Sequence, residues 1–216
     1  MNAAALAALL LAAPAKGADL LDRPLPSFSV TKAPLRQAVM GLIAKGMTAG
    51  VAVDPDTEPS VTVHLKATTR RKVLDALLAQ SPGYAWSVSS GVVVVEPVSV
   101  STSSPLAALG RKVSRFSVSG AAVPVAVRVL RAQAYKDGLP VQGMLMPSAR
   151  QLKLLSSRTP PEDMVSVSLA SVTLRDALDA VVRARPPSWW LAMPLRDGHL
   201  ALMADSVELG GRGRPQ

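Results

Sequence analysis

One pattern of structural positions occurs twice in this chain, and that repetition limits the folds open to it. Residues 28 to 97 run from Phe28-Ser29-Val30 through Val61-Thr62-Val63-His64-Leu65 and Leu74-Asp75-Ala76-Leu77-Leu78 to Trp86, a glycine hairpin and Val92 to Val95. Residues 116 to 205 repeat the order with Phe116-Ser117-Val118, Val165-Ser166-Val167-Ser168-Leu169, Leu178-Asp179-Ala180-Val181-Val182, Trp190 and Leu200 to Met203. Self-similarity at such a period marks a duplicated supersecondary unit. With 216 residues, two small domains are expected, each near the lower size for an independent core.

The periodicity within each copy gives its elements. In the first, Phe28 to Thr31 reads as a strand, and Pro34 sets the first turn of a helix with the apolar stripe Leu35, Ala38, Val39, Leu42 and Ile43. Gly46 and Gly50 are expected to end that helix, ahead of a strand at Val51 to Val53. Val61, Val63 and Leu65 then alternate with polar residues as in a half-buried strand. Thr69 is placed to cap a second helix carrying Val73, Leu74, Leu77 and Leu78, and a hairpin follows, turning at Ser89-Ser90-Gly91. In the second copy Thr173 and Asp176 form a capping pattern before Leu174, Ala177, Leu178, Val181 and Val182. The fold class expected is α+β: two tandem β-α-β-β-α-β-β modules.

The boundaries follow from composition. Residues 1–15 carry no charged side chain, and the apolar run Ala3 to Ala13 has the length of a signal-peptide core, with Ala13-Pro14-Ala15 placing cleavage near residues 15–18. A buried helix or an uncleaved anchor is the alternative. Residues 16–27 read as a lead-in, 28–97 as the first module and 98–115, rich in serine, as a linker. The second module spans 116–205, with an insertion at about 142–163 that is either functional or disordered, and 206–216 form a flexible tail. No later stretch is long and apolar enough for a transmembrane helix. The absence of cysteine excludes disulfides and thiolate chemistry and suits an oxidising compartment without requiring one. Aromatics make up only 3% of the chain, so the cores must be filled by Val, Leu, Ala and Met.

The segments "FSVTKAPLRQAVMGLIAKGMTAGVAVDPD", "VTVHLKATTRRKVLDALLAQSPGYAWSVSSGVVVVEP" and "VSVSLASVTLRDALDAVVRA" resemble the short N-terminal domain shared by secretins and TonB-dependent receptors. That resemblance implies that each module holds two helices between small sheets, and a periplasmic location in a Gram-negative-type envelope. It also implies contact with partner proteins: a secretin, a TonB-system protein or another secretion, transport or signalling component. Every matching position is a packing or turn residue, so the motifs specify fold more than role.

No set of residues reads as an active site, a cofactor site or a metal site, and a non-enzymatic interaction protein is expected. His64 and His199 lack ligand spacing and read as surface histidines, the serines lack a nucleophile elbow, and Asp75 and Asp179 are expected to face solvent or the local backbone. The net charge of +9 favours anionic partners: an acidic envelope protein or, as the alternative, an anionic cell-wall or outer-membrane polymer. Nucleic acid is not expected for an exported chain. The candidate partner-binding residues are Arg70, Arg71 and Lys72, which stand in the first turn of a helix against its macrodipole, Arg111, Lys112 and Arg115 at the linker's end, and Trp189. Trp86 and Trp190 are expected to plug the cores, leaving Trp189 on the opposite strand face from Trp190. Open sheet edges could also accept a partner strand.

Overall fold

A computed structural model describes residues 20–142 and 163–207. The first half consists of β1 (Pro24–Pro34), α1 (Leu35–Ile43), β2 (Ala49–Ala52), β3 (Ser60–Thr69), α2 (Arg70–Ala79), β4 (Tyr84–Ser89) and β5 (Val92–Pro97). After a 3-10 helix (Pro105–Gly110) come β6 (Lys112–Ala122), α3 (Val123–Lys136), β7 (Met164–Thr173), α4 (Leu174–Ala184), β8 (Ser188–Pro194) and β9 (Leu200–Ser206). The class is mixed α and β, consistent with α+β.

The local signals explain these elements. The α1 stripe read from the sequence is fully buried. Thr69 and Thr173 both cap their helices, each hydroxyl accepting a hydrogen bond from a backbone N–H, of Lys72 at 3.3 Å and of Asp176 at 3.1 Å. Strands β1 and β6 each carry a register irregularity at the same point, between Val30 and Ala33 and between Val118 and Ala121. There Lys32 has φ 48° and Gly120 φ 58°. The backbone N–H of each is received by a hydroxyl across the ladder, Thr62 Oγ1 at 2.9 Å and Ser166 Oγ at 3.0 Å. One backbone device thus appears twice, once with the glycine that a left-handed position favours and once with a lysine.

Two antiparallel pairs, β1 with β3 and β6 with β7, lie outside a five-stranded sheet of order β4-β5-β2-β8-β9. That sheet takes strands from both halves, which the expectation of small separate sheets did not include. The joint is the parallel pairing of β2 with β8. Because β2 is also parallel to β5, and β5 antiparallel to β4, the equivalent strands β4 and β8 run in opposite directions. The second half is therefore turned over relative to the first, and its helices cover the opposite sheet face. Ala49, Val51, Val53, Val93, Val95 and Leu191 belong to the core around α1 and α2. Ala52, Val92, Val94, Trp190 and Ala192 instead join the core around α3 and α4. This is the period-two alternation of a sheet buried on both faces.

Several boundaries depart from the sequence expectation. Part of the lead-in is structured: β1 starts at Pro24, and Leu21 and Leu25 are buried because they close the α1/α2 core. The linker is only partly a bridge, since Leu106, Ala108 and Leu109 of the 3-10 helix are buried against α4 and the sheet. Gly50 does not end a helix but sits inside β2. The second half's counterpart of β2 is, among the described residues, a single parallel bridge from Val141 to Leu200. The signal-peptide segment 1–15 and most of the insertion and tail lie outside the described residues.

Candidate functional site

The joint between the halves uses chemistry that the repeat hides. Trp190 lies opposite Gly50 across the β2–β8 ladder, and a Cβ on Gly50 would stand 2.0 Å from its Cε2 atom. Only a residue without a side chain admits the indole there. Trp190 is fully buried and donates its Nε1–H to Asp179 Oδ1 on α4 at 2.7 Å. Burial pushes the Asp179 carboxyl up to about 6, against the lowering effect of the Trp190 hydrogen bond, and its Oδ2 has no hydrogen-bond partner among the described residues. In the first half Trp86 Nε1 donates to Asp75 Oδ1 at 3.0 Å in an exposed setting. The expectation that both aspartates face solvent or the local backbone holds for Asp75, which is exposed, and is corrected for Asp179, which is buried; each tethers a helix to the first strand of the following hairpin. The eleven-residue spacing from Asp to Trp recurs in both copies and was the available sequence signal.

Trp189 faces away from Trp190, as strand alternation requires, but it is half-buried rather than free. It packs with Leu191 and Met193 on the core of the first half. The partner it contacts in this structure is the other half of its own chain. A second tie across the joint is the ion pair of Arg175 on α4 with Glu96 on β5, with Nη1 at 2.7 and 2.8 Å from the two carboxylate oxygens. Both side chains are about a third exposed, so it contributes modestly to stability, on the order of 1 kcal/mol or less.

The basic run at the start of α2 divides into three roles. Arg70 is buried, its guanidinium donating to the carbonyls of Leu20 and Lys45; burial lowers its pKa from the ordinary arginine value. It is a structural clamp, which corrects its assignment as a partner contact. Arg71 grips Asp22 through Nε and Nη2 at 2.8 and 3.1 Å and stacks over the Trp86 ring at 5.5 Å. Lys72 alone of the three is exposed. This explains cations in a first turn: two of the three are held by groups outside the helix, which offsets the small macrodipole penalty.

Arg111, Lys112 and Arg115 are exposed, and no carboxylate lies within ion-pair distance of them among the described residues. Arg111 follows the 3-10 helix, and Lys112 and Arg115 lie in the first part of β6, whose Val113 and Phe116 enter the core. With Lys72, these are the cations of the predicted set that the fold leaves exposed.

His64 has a neighbour the repeat did not foretell. Its Nδ1 is 2.7 Å from Ser29 Oγ, and Nε2 is 3.4 Å from Thr31 Oγ1. Nucleophilic catalysis requires a base oriented by a third group, yet both imidazole nitrogens here face hydroxyls on an exposed sheet face. No group of three or more His, Asp or Glu side chains placed to hold a metal occurs among the described residues. No helix among them is long and apolar enough to cross a membrane. A groove of about 450 Å³ runs between the β4–β5 hairpin, the 3-10 helix and the start of α4, with Ser89, Glu96, Leu106, Leu109 and Arg175 among its walls.

Comparison with known proteins gives no matching family profile, no matching curated protein and no matching solved structure.

Proposed function

We propose that this is an exported, periplasmic, non-enzymatic interaction protein built from two tandem modules like the short N-terminal domain of secretins and TonB-dependent receptors. Its partner is a protein of an envelope secretion, transport or signalling assembly. The observation that carries this reading is what the two halves hold in common: a bulge closed by a hydroxyl, a threonine cap and an Asp–Trp tether. All three are devices of architecture, and none is a reactive group. The exposed surface offers cations at Arg111, Lys112, Arg115 and Lys72.

A photo-crosslinker placed at Lys112 of the full chain in intact cells should yield one dominant envelope-protein adduct that disappears when Arg111 and Arg115 become glutamine. A spread of adducts proportional to protein abundance would refute specific partnership. The same three cations, which no carboxylate among the described residues pairs, favour a second reading, attachment to anionic envelope polymer. Co-sedimentation with purified polymer that vanishes as salt approaches roughly 0.3 M would select it, since screening removes exposed attractions beyond a few ångströms.

A further inference from the structure

Strand β4 ends the five-stranded sheet, and no described strand pairs with its far side. Such an edge presents a row of backbone donors and acceptors, and proteins ordinarily blunt it with charge, proline or a bulge. The other edge strands here are blunted in that way. Strand β1 has Pro24, Pro26 and the left-handed Lys32; β3 has Lys66 and Ala67 at φ 46°. Strand β6 has Lys112, Arg115 and Gly120, and β7 has Ser171 at φ 53°. Strand β9 carries Asp205, and Val141 bridges to its first residue. Strand β4, Tyr84-Ala85-Trp86-Ser87-Val88-Ser89, has none of these features.

The equivalent edge in the second half shows how such a strand is used. There β8 pairs along the outside of β2, and its residues facing away from α4 are Trp189, Leu191 and Met193, which pack on the first half's core. The matching positions on β4 are Ala85, Ser87 and Ser89. Those side chains are too small and polar to form the same apolar joint, so a second copy of this chain does not fit the edge as β8 fits β2. The other β4 face offers half-buried Trp86 and exposed Val88 to anything lying alongside. On the Ser89 side the groove walled by Leu106, Leu109 and Arg175 opens over the same hairpin.

We propose that β4 is a strand-addition site for an extended segment of the partner protein, with apolar residues at alternate positions meeting Trp86 and Val88. This rests on the interaction reading above and names the surface and the partner's conformation. Affinity comes from main-chain hydrogen bonds that extend the sheet, and selectivity from the alternate side chains. The test pans a random nonapeptide phage library against the full chain and follows selected synthetic peptides by amide hydrogen exchange.

The selected peptides should alternate apolar residues and slow exchange within Tyr84–Ser89. They should lose at least tenfold in affinity when their alternate backbone nitrogens are methylated. Ser87→Lys should lose binding similarly, with Val88→Lys as the second variant should the first fail to fold. Absence of selected peptides, protection elsewhere, indifference to N-methylation, or protection of β4 by rising concentration of the chain alone would each overturn the proposal. A partner crosslinked through Lys112 whose binding leaves β4 exchange unchanged would remove the strand site while the interaction reading survives.

Discussion

Replacing Asp179 by asparagine should stabilise the protein at neutral pH and leave its stability nearly unchanged at pH 4. The carboxyl titrates near 6 in the fold because burial disfavours its charge, and near 3.9 in an unfolded chain. A folded value above the unfolded one means that the proton binds the native state more tightly. The associated stability is fully present below about pH 4, fades as pH rises and is gone above the folded value of about 6. Two units at 1.36 kcal/mol each come to about 3 kcal/mol, an upper figure given local relaxation around a buried charge. Asparagine keeps an oxygen for Trp190 Nε1 and carries no charge. Its amide hydrogens find no more partners than a protonated Oδ2 would, so at pH 4 the two proteins should nearly coincide. Urea denaturation followed by tryptophan fluorescence at pH 4, 5, 6 and 7.5 measures the difference, which should grow from near zero to about 2–3 kcal/mol in favour of the variant. A difference that stays flat across this range would refute a buried, costly carboxylate at the joint.

Gly50→Ala should destabilise by about 3 kcal/mol, at the upper end of overpacking penalties, because the new methyl would stand 2.0 Å from the Trp190 ring; a thermal midpoint within a degree of the parent would show that the indole can move. Lys32→Gly should raise stability by about 0.5–1 kcal/mol, since it relieves a left-handed residue at the place where the second half already has Gly120; denaturant midpoints decide, and a fall contradicts the reading. Thr173→Ala should cost about 1 kcal/mol through loss of the α4 cap, and Thr173→Ser should restore most of it. Equal stability of the alanine and serine variants would show that the cap contributes nothing.

Within each half the sequence was informative because the forces are local. The α1 and α4 stripes, the threonine caps and the alternation of β3 and β7 are periodicities of a few residues, and burial follows them. Arg70 departs from the sequence expectation for the same reason. A cation in a first turn is anomalous locally, and what accommodates it, the carbonyls of Leu20 and Lys45, lies 50 and 25 residues away. The sheet joining the halves was hidden by a comparable distance: β2 and β8 are 140 residues apart, and each alone reads as a short apolar strand. Yet the copies do differ where the joint forms. Where the first copy has Ala85, Ser87 and Ser89 the second has Trp189, Leu191 and Met193, and a strand that is apolar on both faces needs cover on both. That difference signals that β8 has two cores to serve, and that β4, with its small residues, has one face still open.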